Sequence, residues 1–340
     1  MTRAIFAALA LAGALPGCVS AQAAPPLAAA PIPKAEAYLF AHMTTPDYGG
    51  LYYAVSIDGA NWSELNDGKR VKPDYRGHAD ITRGPDGAFY LVGNRMEPGP
   101  HIRIWRSTDL IDWQLESDFS YDLSALPGVM PGDDWFGAPK MTYDPDGNRW
   151  IMTFHSANRK KRAMPPGEVD EEFWSSMRTF YTTSKDRKTW TTARRLFPWD
   201  DVATIDTILR KADGEWWAIF KDERHPSSDV PTGKSIRLAH GPTATGPWSK
   251  PSGKISPNFH EAPQLLPRPD GSGWYIWAER YTGQGYTLQT ADSMAGPWWQ
   301  TFANKQTMAP ANRHGGMIPI TRAEYDRLVA HYGAVAAPTN

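Results

Sequence analysis

Ser56-Ile57-Asp58-Gly59-Ala60-Asn61-Trp62 decides the fold, because the chain repeats its pattern. Ser107-Thr108-Asp109-Leu110-Ile111-Asp112-Trp113 and Ser184-Lys185-Asp186-Arg187-Lys188-Thr189-Trp190 place serine, aspartate and tryptophan at the same offsets. Gly246-Pro247-Trp248 and Gly296-Pro297-Trp298 close two further turns after Thr/Ala/Ser-rich loops. The intervals between these tryptophans are 51, 77, 58 and 50 residues. A period of about 50 residues marks a propeller or an array in which each repeat is one supersecondary unit.

A second repeat, out of phase with the first, shows what each unit contains. Asp86-Gly87, Asp146-Gly147, Asp213-Gly214 and Asp270-Gly271 each precede an aromatic run, such as Phe89-Tyr90-Leu91-Val92 or Trp216-Trp217-Ala218-Ile219-Phe220. Asp-Gly supplies the positive φ of a tight hairpin, and aromatic and β-branched residues suit a pleated surface. A third strand follows in each unit, and the tryptophan turn opens a fourth. Four antiparallel strands repeated radially make a propeller blade.

The first unit lacks its innermost strand. Tyr38-Leu39-Phe40-Ala41-His42, Leu51-Tyr52-Tyr53-Ala54-Val55 and Trp62 supply only strands two to four. Met317-Ile318-Pro319-Ile320 is the candidate for the missing strand, which would close the ring and protect its sheet edges. Pro319 lacks an N–H and is expected to face the central channel. Thr321-x-x-Glu324 is a capping box that starts a short helix through about His331. The expectation is an all-β protein, a five-bladed β-propeller over residues 35–332.

The chain of 340 residues carries a formal net charge of -1, which gives no argument for a nucleic-acid partner. Its 15 tryptophans and 14 tyrosines are read mostly as blade core, with loop aromatics left to stack on sugars. The N-terminus reads as a targeting signal, with a positive start and an apolar stretch too short to span a bilayer. Two cleavage readings compete. Leu15-Pro16-Gly17-Cys18 resembles a lipoprotein box that leaves Cys18 lipidated after a signal of residues 1–17. Ala21-Gln22-Ala23 is an ordinary site ending a signal at residue 23. Residues 24–34, rich in Ala and Pro, read as a tether. Cys18 is the only cysteine, so no disulfide is expected. The reading is a monomer, either periplasmic or carrying a lipid anchor at the outer membrane of a Gram-negative bacterium.

Chemistry is expected where the inner strands converge on the axis. Those strands open with His78-Ala79-Asp80, Ala138-Pro139-Lys140, Asp206-Thr207, Glu261-Ala262-Pro263 and, by closure, His314-Gly315-Gly316. Ionisable groups converging there would perturb one another's pKa values. Carboxylates on separate strands around a pocket are what glycoside hydrolysis requires, one as acid and one as base or nucleophile. No zinc spacing, phosphate loop or nucleophile elbow is found.

On the residues Thr204-Ile205-Asp206, His260-Glu261-Ala262-Pro263 and Arg313-His314-Gly315-Gly316-Met317-Ile318-Pro319-Ile320-Thr321, residues 36–332 resemble glycoside hydrolase family 43. The family cleaves arabinofuranosides, xylosides and related linkages, usually with inversion. The resemblance implies Glu261 as general acid and Asp206 as the carboxylate that tunes it. It implies His314 as an axial histidine near a central water or cation, with no cofactor otherwise. The family's general base, in Asp-Pro-x-Ile, has no direct match. His78 holds its place, and Asp80 follows two residues later on the same strand face. Asp80, ionised throughout the physiological range, is taken as the base, with His78 binding substrate beside it.

Trp135, Phe136, Lys140, Arg313 and Glu223 complete the expected substrate-binding set, Glu223 doubling as a substitute carboxylate. The basic run at residues 158–162 is read as a solvated loop or a lid for an acidic sugar. The functional expectation is an exported, exo-acting glycoside hydrolase taking a polysaccharide fragment. The alternative is a carbohydrate-binding propeller without catalysis, and a third reading, a fructan-type furanosidase, has only the poor match Asn66-Asp67-Gly68.

Overall fold

The computed structural model describes residues 34–95, 101–121, 136–158, 171–283 and 285–336, with residues 123, 126, 128 and 129. The leader, Cys18, the tether to residue 33, Trp135 and residues 159–162 lie outside the described residues.

Five antiparallel sheets are arranged as five blades. Blade one is built from β1 (Ala37–Thr44), β2 (Asp47–Ser56) and β3 (Ser63–Leu65). Blade two holds β4 (Asp80–Arg83), β5 (Phe89–Arg95), β6 (His101–Ser107) and β7 (Gln114–Ser120). Blade three holds β8 (Gly137–Asp144), β9 (Arg149–Ala157), β10 (Met177–Ser184) and β11 (Arg194–Arg195), with the one-turn helix α1 (Glu171–Ser175) before β10. Blade four holds β12 (Thr204–Ala212), β13 (Glu215–Asp222) and β14 (Ser235–Gly241). Blade five holds β15 (His260–Pro267), β16 (Trp274–Arg280), β17 (Tyr286–Ala291) and β18 (Trp299–Gln300).

The C-terminal segment closes the ring as expected. β19 (Asn312–Ile320) is the inner strand of blade one, and its register sets Phe40 opposite Met317 and Tyr38 opposite Pro319. Gly315 and Gly316 make that fit possible. A Cβ on Gly315 would stand 2.1 Å from the carbonyl oxygen of Ala41, and one on Gly316 would stand 2.7 Å from the amide of Ile81. The helix α2 (Arg322–Tyr332) follows, capped reciprocally by Thr321 and Glu324. Beyond it β20 (Ala334–Ala336) pairs with β3, so blade one extends past residue 332 with a fifth strand.

Two local expectations are corrected. Blade four has three strands, because the segment after Trp248 meets β14 only through spaced backbone bonds at Ser249, Ser252 and Ile255. Pro247 and Pro251 cannot donate to a continuous ladder there. In the hairpin of blade three the left-handed residue is Asn148 (φ 45), not Gly147. The tryptophan motif works as a turn. Gly59 N–H donates to Ser56 Oγ, while Ala60 and Asn61 N–H donate to Asp58 Oδ1, and Asp109 and Asp186 bind their turns the same way.

The core is layered between blades. Leu39, Tyr53, Phe89 and Leu91 fill the first interface, and Tyr90, Met141, Trp150 and Phe180 the second. Ile151, Phe220 and Trp248 fill the third, Ile219, Leu238 and Ile276 the fourth, and Trp277, Leu288, Phe40 and Trp62 the last. Each fully buried large apolar side chain is worth ~1.5–3 kcal/mol, so no blade is stable without its neighbours.

Side chains also stitch the blades together around the axis. Met141 N–H donates to Asp80 Oδ2 (2.7 Å), joining blade two to blade three. Thr153 Oγ1 donates to Thr207 O (2.6 Å), joining three to four. Ala262 N–H donates to Asp206 Oδ2 (3.0 Å), joining four to five, and Met317 N–H donates to Gln264 Oε1 (3.0 Å), joining five to one.

Candidate active site

The inner strands do not run straight past the axis. Registers shift at Gly137/Lys140, Ile205/Ile208 and Glu261/Gln264, and Ala138, Asp206 and Ala262 in those bulges have positive φ (42, 52 and 47°). A bulge re-aims a side chain, and non-glycine residues held in the left-handed region cost of order 1–3 kcal/mol each. Three such bulges at one end of the axis turn Asp206 and Glu261 toward a common cavity.

That cavity has a volume of about 640 Å³. His78, Asp206, Glu223, Glu261 and His314 line it, together with Tyr48, His155, Trp174, Lys221, Lys234, Phe259 and Tyr281. At its floor His314 Nε2 lies 3.4 Å from Asp206 Oδ2 and 3.5 Å from Glu261 Oε1. On the other side of the ring Nδ1 lies 2.7 Å from Glu279 Oε2. Arg313 pairs with Glu279 through Nε and lies 4.0 Å from Glu261. Lys221 Nζ bridges Glu261 (2.8 Å) and Glu223 (2.7 Å), and Lys234 takes the other oxygen of Glu223 at 2.6 Å.

Charge decides the protonation states. Burial works against the His314 imidazolium, but Glu279 and Glu261 outweigh it and hold the ring's pKa well above the ordinary histidine value. Burial pushes Asp206 up, yet the hydrogen bond and charge of His314 bring it well below the carboxylate range. Burial also raises Glu223, against the pull of Lys221 and Lys234. His78 goes the other way, pushed down to about 3 by burial and then by the charge of His314. It is therefore neutral at physiological pH. Asn94 Oδ1, which can only accept, lies 3.2 Å from His78 Nδ1, so Nδ1 carries the proton and Nε2 accepts from Tyr48 at 3.0 Å.

Several expected site residues lie elsewhere. Asp80 is 1% exposed and does not line the cavity. One of its oxygens is taken by Met141, and the other faces Lys140 Nζ at 3.9 Å. β4 begins only at Asp80 and His78 lies in the bend before it, so strand parity does not carry Asp80 to the cavity that His78 lines. Lys140 also lies below the floor, donating to Gly315 O at 3.2 Å. Phe136, 1% exposed, packs on Phe154 in the core between blades two and three rather than against a substrate. Arg313 reaches the site through its ion pairs, and Trp135 lies outside the described residues.

Other contributors were not singled out from the sequence. Lys221 reads only as part of a charged segment, residues 221–225, like the basic run at 158–162; Glu279 follows an apolar run, and Lys234 lies in a loop. Tyr48, Phe259 and Tyr281 form an aromatic wall, with Tyr281 stacked 4.1 Å from Lys221 Nζ. Asp206, Glu261 and His314 each offer a ligand atom within 4.8 Å of the others. Two carboxylates suit a hard divalent cation, although His314 would first have to release its Nε2 proton.

The chain belongs to a glycosyl hydrolase 43-related family, whose description is "Probable glycosyl hydrolase domain" and whose match spans residues 34–326. Solved structures of similar fold include an exo-beta-1,3-galactanase from Phanerochaete chrysosporium with galactose (15% identity, 72% of this chain and 53% of that one, TM-score 0.48). An alpha-L-arabinofuranosidase from Lactobacillus brevis matches at 17% identity over 66% of this chain and 72% of its own, TM-score 0.48. A Bacillus subtilis arabinanase matches at 13% identity over 65% and 74%, TM-score 0.46. The chain spans about half the length of the galactanase. No protein of curated function matches the sequence.

Proposed function

We propose that this protein is an exported glycoside hydrolase that removes terminal sugars from an oligosaccharide. One observation carries the reading: Asp206 and Glu261, from neighbouring inner strands, meet the charged ring of His314 within 3.5 Å at the floor of a closed-ended cavity. Glu261, reachable from the cavity, is the proton donor to the leaving oxygen. Asp206, held ionised, stabilises positive charge as it develops on the sugar ring. Neutral His78, fixed by Asn94 and Tyr48, orients the substrate or the incoming water, whose proton passes to Glu223, a further carboxylate of the cavity. The aromatic wall supplies a stacking face, and a cavity with a floor suits attack at chain ends. Export as a periplasmic or lipid-anchored protein remains part of the proposal, resting on the leader and Cys18.

A second reading, sugar binding without hydrolysis, draws on two observations: Asp80 is sealed from the cavity, and the carboxylates of the cavity floor are already ion-paired. Release of reducing sugar from arabino-, xylo- and galacto-oligosaccharides separates the readings, with Glu261→Gln as control. Turnover that the control abolishes supports the hydrolase. Saturable sugar binding with no release in the native protein supports the binder.

A further inference from the structure

The opposite end of the propeller axis holds a second cavity, of about 300 Å³. Thr82 of β4, Thr142 of β8 and Arg210 of β12 line it, each lying two residues or more below the catalytic floor, and Lys34, Arg83 and Lys211 complete its rim. Every charged residue in this lining is a cation.

Two of the cations are already neutralised. Arg83 forks onto Glu324 at 3.0 and 2.7 Å, and Lys211 meets Asp146 at 2.8 Å. Lys34 and Arg210 have no ion pair among the described residues. A guanidinium carries five N–H donors. Arg210 uses Nη1 on the carbonyl oxygen of Leu209 (2.9 Å), its only hydrogen bond among the described residues. The hydroxyls of Thr82 and Thr142 have no hydrogen-bond partner there either.

Charge along the channel points the same way. Asp80 is the acid that acts on Arg210, and it serves Lys140 as well. One carboxylate facing two cations leaves the lower channel with a positive charge uncompensated. A planar guanidinium fork beside two free hydroxyls matches a tetrahedral oxyanion, whose several oxygens accept from both. The apolar floor of Leu265, Met317 and Ile318 excludes water around such an ion.

We propose that this lower mouth is an oxyanion site for a phosphate group, anchored by Arg210 and completed by Thr82, Thr142 and Lys34. The group arrives free in solution or as the head group of an anionic phospholipid. The site faces away from the sugar cavity and stands whether or not that cavity hydrolyses anything.

Titration calorimetry of the full chain with inorganic phosphate, at constant ionic strength against chloride, tests the proposal. A saturable site is expected, weakened about tenfold or more in Arg210→Gln. The Thr82→Val/Thr142→Val variant keeps every charge, so it reports on the site even if loss of Arg210 disturbs Asp80 and the fold. It should weaken phosphate binding while leaving sugar turnover or sugar binding unchanged. Flotation with phosphatidylglycerol and phosphatidylcholine vesicles distinguishes the sources: Arg210-dependent binding to the first alone assigns the head group, and phosphate binding without it assigns the free ion. No saturable phosphate binding, or binding equally strong in both variants, overturns the proposal.

Discussion

Glu279 lies 2.7 Å from Nδ1 of His314, on the far side of the ring from Asp206 and Glu261. The imidazolium thus has acids on both of its nitrogens, and Arg313 is held by the same Glu279. An acid with no direct part in the chemistry fixes both the charge and the orientation of the axial ring.

Replacing Glu279 by glutamine should therefore be severe for the fold. It leaves Arg313 and His314 beside each other without their buried counter-charge, and breaking such pairs costs ~3–5 kcal/mol. Urea denaturation should show a loss of that order. A stability within ~0.5 kcal/mol of the native protein would mean that Glu261 and Asp206 suffice to compensate both cations.

Glu261→Gln should cost several orders of magnitude in kcat on a substrate with a poor leaving group. On an activated aryl glycoside, which departs without protonation, the cost should be far smaller. Parallel kinetics on the two substrates check this. Equal losses would assign Glu261 to binding.

Asp80→Asn should act on stability rather than on turnover. The amide keeps an oxygen for Met141 N–H but removes the charge that Lys140 and Arg210 face, and loss of ~1–3 kcal/mol is expected. Activity per folded molecule should persist. A well-folded Asp80→Asn protein without turnover would restore the aspartate as general base.

Stability should fall on the acid side because two buried histidines are held neutral in the folded state. His78 and His155 are pushed down to about 3 and about 4, chiefly by burial, so the folded state keeps them neutral. Unfolded, each titrates near ~6.5. Between that value and their folded values the unfolded chain binds more protons, and stability decreases as pH falls. His314 behaves oppositely: its raised pKa contributes fully below ~6.5, and that contribution is lost as pH rises through the folded value. Thermal melts from acid to alkaline pH should show both flanks, and His78→Asn should make the acid flank shallower.

The repeats of Trp62, Trp113 and Trp190 made the blades legible, because serine and aspartate at fixed offsets build the same turn each time. Met317 could be assigned to the first blade because that unit visibly lacked a strand. Depth along the axis was not legible. His78 and Asp80 read as one strand face by parity, but β4 begins only at Asp80 and His78 lies in the bend before it. Glu279 gave no signal either, since an acid at the end of Trp274-Tyr275-Ile276-Trp277 reads as a strand terminus. Phe136 misled for a related reason: an aromatic just before an inner strand can turn to the cavity or to the blade interface, and nothing local decides between them.

The pairing of β1 with β19 also imposes a timetable on the chain. Residues 37–44 leave the ribosome long before their inner partner at residues 312–320. Contacts this far apart in sequence are slow to form, because the chain must first give up the entropy of a loop nearly as long as itself. Blade one thus stays an open edge until residues 312–320 have been made, and with it the floor that His314 supplies. A chain that stops short of β19 lacks His314 at the cavity floor, so the activity proposed above can begin only after that strand docks.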